Sequence, residues 1–302
     1  MSDATTLRAE TYLTAILSAR LDERAGEWLR EHCAEIAAGV DGARFASLLS
    51  LASRFTPRAP LAPDRDELER ARESLDGWNP ERWTLLEAVR ARLVLARGDL
   101  PGKVFADHLE QAFRYADQGE LCALYKTLCL LPGPERFTWR AAEGCRTNIV
   151  PVFEAIACDN PYPAAHFDDL AWNQMVIKAI FIGAPLWRVQ GLDGRLSADL
   201  ARMALDLADE RRSAGRPVQP ELWLCLGSHS GERGLASLER ELEGSDTLGR
   251  RAAALGLARA GQGQRLEQLR ESESDPALAE SLRRARTECE QTAFRNLDPR
   301  EA

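Results

Sequence analysis

The chain has 302 residues, 45% hydrophobic and 28% charged, which suits one large or two ordinary globular domains with a substantial core. Its formal charge of −8 argues against a general nucleic-acid binder, because neutralising phosphates needs a basic surface. Seven cysteines with no CxxC pair argue against a zinc ribbon or a disulfide framework, and read as buried, reduced thiols.

The first twenty residues carry Arg8, Glu10 and Arg20 and hold no unbroken apolar segment, so they do not read as a secretory signal. They form instead the helical pattern "DATTLRAETYLTAILSARL", with Leu7, Leu13, Ile16, Leu17 and Leu21 at spacings of three and four. "ERAGEWLREHCAEIAAG" places Trp28, Leu29, Cys33 and Ile36 on one stripe and ends at Gly39, a C-cap residue. "ARFASLLSLASRF" gives a third helix. "TPRAPLAPDRD" then breaks the pattern with prolines and reads as a stiff connector. In "NPERWTLLEAVRARLVLARG", Asn79 is the expected cap, Pro80 suits a first turn, and Gly98 stops the helix. "KVFADHLEQAFRYADQG" and "ELCALYKTLCLL" follow as helices, and no stretch has the alternation of a sheet strand.

Toward the C-terminus, "LCLGSHSGERGLASLERELEG" and "LGLARAGQGQRLEQLRESES" align, with Leu224 on Leu255, Leu226 on Leu257, Leu235 on Leu266 and Leu238 on Leu269. Each copy reads as a small-residue helix, a Gly-rich turn and a Leu-bearing helix, as in a HEAT-like repeat. Leu297 falls at the next interval, but Arg286 stands in the place of Leu255, so a third copy is not expected. The predicted fold is all-α, an α/α superhelix of stacked helical hairpins. Its expected parts are an N-terminal bundle over 1–56, a central region over 64–218 and HEAT-like repeats over 219–302.

Catalytic signatures are missing: the sequence has no Gly-rich phosphate loop, no HExxH, no GxSxG and no EF-hand loop. Its histidines, His32, His108, His166 and His229, are scattered, so neither a metal centre nor a cofactor is expected. The most apolar run, "MVIKAIFIGAPLW", is interrupted by Lys178 and falls short of the roughly 20 residues a span requires, so membrane insertion is not expected. These features together predict a cytoplasmic protein.

The densest specific chemistry lies between Pro134 and Gly183. Arg140, Glu143 and Arg146 follow one another at helical spacing and read either as a solvated ion-pair face or as a cluster gripping a carboxylate or phosphate. Asn148 closes the same stretch. "DNPYP" cannot be helical throughout, because each proline pushes its predecessor toward extended backbone. It is expected to present Asp159, Asn160 and Tyr162 at fixed positions. A helix continuing from Pro163 would put His166, Asp169 and Asn173 on one face, with Gln174 and Lys178 on another strip and Trp172, Met175, Val176, Ala179 and Ile180 in the core. All twelve polar residues are candidate ligand contacts. A histidine oriented by Asp169, serving structure or proton transfer, is the sharper reading of that face.

The words "RAAEGCRTN", "DNPYPAAHF" and "WNQMVIKAIFIG" resemble the EboA family of bacteria, over roughly residues 80–240. The resemblance implies an all-helical cytosolic product of the ebo gene cluster, which is associated with moving or processing secondary metabolites toward the periplasm. It implies a small-molecule metabolite as partner, and other ebo-cluster proteins including a membrane prenyltransferase. It carries no catalytic residues with it. The expected function is therefore small-molecule binding or scaffolding in metabolite traffic. The alternative is an enzyme using His166 and Asp169 as acid–base, with arginine holding an anionic group.

Overall fold

A computed structural model describes residues 3–244, 246–273, 276–285 and 287–298. Regular structure among them is helical, apart from one isolated antiparallel bridge between Pro60 and Thr84. The all-α expectation holds. The chain divides into two compact units, 1–167 and 168–302.

The first unit contains α1 (Asp3–Ser18), α2 (Glu23–Ala38), α3 (Gly42–Leu51), α4 (Arg65–Ser74), α5 (Leu85–Leu95), α6 (Lys103–Tyr115), α7 (Gln118–Thr127), α8 (Thr138–Gly144), α9 (Val150–Ala157) and α10 (Tyr162–His166). Side-chain caps set five of these ten starts. Asp22 and Asp41 accept from Ala25 N and Arg44 N, while Asp64–Glu67, Thr84–Glu87 and Asp117–Glu120 form reciprocal capping boxes. The α2 helix stops at Gly39 as expected, with φ 109°. The fifth helix begins later than Asn79 and Pro80 suggested: Thr84 caps it, and Asn79 instead closes a local turn onto Glu81 N at 3.1 Å. Thr84 wins because its hydroxyl and the Glu87 carboxylate satisfy each other's backbone donors.

The helix α5 lies at the centre of this unit, against α1, α2 and α7, with α9 packed on the far side of α7. Its residues from Leu85 to Leu95 are buried on nearly every side, including Leu86, Val89, Leu93 and Val94. A helix apolar all round belongs in a core, so its two arginines need partners there. The proline connector is pinned rather than free: Leu61 N donates to Trp83 O at 2.7 Å and Leu85 N to Ala59 O at 2.9 Å.

The second unit contains α11 (Asp169–Ile182), α12 (Ala198–Ser213), α13 (Gly231–Leu242), α14 (Thr247–Arg259), α15 (Gly263–Ser272) and α16 (Pro276–Ala285). Here α14 packs against α13, α15 and α16. The two sequence copies are not the same structure. The second is a helix–turn–helix, α14 and α15, as its pattern implied. In the first, Leu224 lies in a 3₁₀ segment, Pro220–Cys225, and Leu226 follows it. Pro220 starts that segment, and Gly227 turns left-handed with φ 49°, which a continuous α-helix cannot accommodate. Arg286, which bore on a third copy, lies outside the described residues.

No disulfide links the cysteines among the described residues; Cys33, Cys122, Cys129, Cys145, Cys158 and Cys225 are buried and Cys289 half-buried. Among the described residues, no helix is long and apolar enough to cross a membrane.

Candidate functional site

The polar words of the central segment fold largely into clamps on the backbone. Asn160, 4% exposed, donates to Ala155 O at 3.0 Å and accepts from Tyr162 N at 3.0 Å. Tyr162, 1% exposed, donates its hydroxyl to Pro134 O at 2.6 Å. Burial pushes that phenol well above its ordinary range, so it stays a neutral donor. Asp159 takes a left-handed φ of 54°, which aspartate tolerates better than most residues, and its carbonyl accepts from Asn79 N at 3.2 Å. These three residues pin α9 and α10 to their surroundings.

Arg140 is also committed. Its guanidinium forks onto Glu110 across α6, and it lies over the rings of Trp139 and Phe113 at 4.9 and 5.5 Å. The hydrogen bond to Glu110 holds Arg140 above its usual range. Arg146 is exposed and pairs with Glu143 at 3.2 Å, the solvated helix pair that spacing alone allowed. Asn148 is exposed.

The single polar face expected from Pro163 onward does not form. The α10 helix ends at His166, Phe167 and Asp168 are extended, and Asp168 caps a new helix by accepting from Ala171 N at 2.7 Å. His166 and Asp169 therefore lie on different helices, and the i, i+3 relation that made them an acid–base pair is lost. Burial lowers the His166 pKa below 6.5, with Glu135 partly offsetting it. In the second unit Asp169 pairs with Arg195 at 2.9 Å, and Arg195 lies over Trp172 at 4.7 Å. Asn173 is buried, Lys178 half-buried and Gln174 exposed. No cluster of three or more histidines, cysteines, aspartates or glutamates suited to a metal occurs among the described residues.

A ligand-sized site appears elsewhere in the first unit. A cavity of about 570 Å³ opens between α1, α2 and α5, within the range usual for small-molecule pockets. Leu17, Leu21, Leu29, Ala34 and Ala37 give it an apolar wall. Its charged lining residues are Glu10, Asp22, Glu23, Arg30 and, from α5, Arg92. Arg92 donates through Nε to Thr14 Oγ1 at 2.9 Å and its Nη2 meets Glu10 Oε1 at 2.8 Å, both on α1. Its Nη1 is buried and has no hydrogen-bond partner among the described residues. Two bonds thus fix the guanidinium, and Nη1 keeps both of its N–H donors without a partner among the described residues. Cys33 lines the same wall, and burial raises its pKa, which keeps it a thiol and no nucleophile. Gly26 of α2 also faces the cavity, and a Cβ built there meets nothing within 4 Å.

Arg92 does not stand out in "VRARLVLARG", because a helical arginine is equally compatible with a solvent-facing strip. The available signal was the near-continuous apolar content of that helix. A core helix with arginines at 90 and 92 calls for two internal partners or a ligand, and Arg90 finds its own in Leu49 O at 3.0 Å and Glu120 at 3.4 Å.

A family model described as metabolite traffic protein EboA matches residues 9–227 of this chain. No curated protein and no solved structure matches it.

Proposed function

The chain belongs to the EboA family, and from that premise we propose that it binds a small metabolite in the cavity between α1, α2 and α5. The observation that carries this reading is Arg92 Nη1, a buried guanidinium nitrogen without a partner at the edge of an apolar cavity. Leaving a charged donor unsatisfied costs more than leaving a neutral one, and a ligand carbonyl or carboxylate would recover that cost. The ligand has a largely apolar body and one acceptor group. In this reading the protein works in the cytoplasm as a binding or scaffold protein, in traffic directed toward the periplasm. Other ebo-cluster proteins, including a membrane prenyltransferase, are its partners. Arg146, Asn148 and Gln174 lie exposed on the surface.

The test is mass spectrometry of small molecules retained by the purified full chain and by two variants. Gly26→Leu fills the cavity from a position where an added Cβ meets nothing within 4 Å, and circular dichroism checks that the variant folds. Arg92→Lys keeps the charge opposite Glu10 but removes the spare nitrogen. The expected result is one compound retained by the wild type, lost in Gly26→Leu and depleted in Arg92→Lys. Equal retention by all three would remove this cavity from consideration.

A further inference from the structure

The other side of α1 faces a second cavity, of about 600 Å³, formed against α4. Its walls combine Leu7, Ala15 and Ile16 with Arg8, Arg70, Glu67 and Glu73. Tyr12 lines it and is 7% exposed, yet its hydroxyl is buried without any hydrogen-bond partner among the described residues. Beside it, Trp78 is 1% exposed and stands edge-on to the Tyr12 ring at 5.1 Å, its Nε1 also without a partner.

The neighbouring polar groups do not fill this gap. Glu67 is occupied by the Arg20 fork, with Nη1 at 2.9 Å, and by Asp64 N at 2.9 Å. Arg8 donates through Nε and Nη2 to Ser74 O at 3.4 and 3.3 Å. A buried hydroxyl left unpaired is destabilising, so a native chain keeps one where something else supplies the partner. The charges of the wall, two arginines and two glutamates, cancel. Such a wall offers no net attraction to an ion, and the apolar surface around Tyr12 favours a neutral body. Leu7 extends that surface outward, standing 62% exposed at the rim.

From this geometry we infer that the α1–α4 cavity is a second ligand site, taking a neutral, largely apolar molecule whose carbonyl oxygen accepts the Tyr12 hydroxyl proton. Burial supports the donor role by holding the phenol in its neutral form. The site is separate from the α1–α2–α5 cavity and stands whether or not that one is occupied.

The experiment uses fluorine NMR of the full chain labelled with fluorotyrosine. The protein has four tyrosines, so each resonance is resolvable and Tyr12→Phe assigns the one of interest. Methyl naphthyl ketone is the probe and ethylnaphthalene, which has the same ring without the carbonyl, is its control. The ketone is expected to move the Tyr12 signal saturably and to bind about tenfold more tightly than the hydrocarbon, one hydrogen bond's worth. Tyr12→Phe should remove that preference, measured by calorimetry. Ala15→Leu, on an exposed position of α1 that lines the cavity, should block the ketone, whereas Gly26→Leu should leave its binding intact. No saturable shift, equal binding of ketone and hydrocarbon, or an unchanged preference in Tyr12→Phe would each overturn the proposal.

Discussion

Asn160 uses both ends of its side-chain amide on backbone, donating to Ala155 O and accepting from Tyr162 N. Replacing it with alanine leaves a buried donor and a buried acceptor unpaired, a loss of about 2 kcal/mol. Urea denaturation should show that loss as a lower midpoint at unchanged slope, and small-molecule retention should survive. A retention defect at full stability would instead make Asn160 a contact. His166 permits a separate prediction. Its folded-state pKa is depressed from 6.5 by burial, so between those two values the unfolded chain holds the extra proton. Stability from this residue is complete above pH 6.5 and is lost as pH falls toward the folded value. The free energy of unfolding should therefore rise across that window, and His166→Gln should flatten the rise. A variant with the same slope as the wild type would show that other groups set it.

At the scale of elements, the break between α10 and α11 decides what the central segment can do. Asp168 takes an extended conformation and bonds Ala171 N, which satisfies a donor at the head of a fourteen-residue helix. Asp168→Ala should cost about 1 kcal/mol and Asp168→Ser should restore most of it, read by thermal unfolding. Equal stability of all three would mean that Asp169 takes over the cap. This break also marks what the sequence made legible. Helices α2 and α6 follow from apolar spacing, with Gly39 closing α2, and these are local properties. The join at Phe167 was hidden because "AAHFDDLAW" has helical content on both sides, and the aspartate serves equally as a cap or as a surface residue. Arg92 was hidden for a different reason. Whether an arginine faces water or a cavity depends on which helices cover it, and α1 lies some eighty residues away in sequence, at Glu10 and Thr14. Pairings over such separations are set by packing of the whole unit, which periodicity does not encode.

For the whole molecule, the division at Phe167 has a functional consequence, since both cavities lie wholly within the first unit. That unit has a complete core of its own, built around Trp28, Phe45, Val89, Phe105, Leu124 and Phe153. A chain of this length can bury enough surface to fold independently. Residues 1–167 expressed alone should give helical circular dichroism and one cooperative thermal transition. The fragment should retain the same metabolite as the full chain, and Gly26→Leu within it should abolish retention. A fragment that unfolds without cooperativity would show that the first unit depends on the second. A folded fragment that loses the metabolite would place the binding determinants beyond Phe167, and so against the α1–α2–α5 cavity.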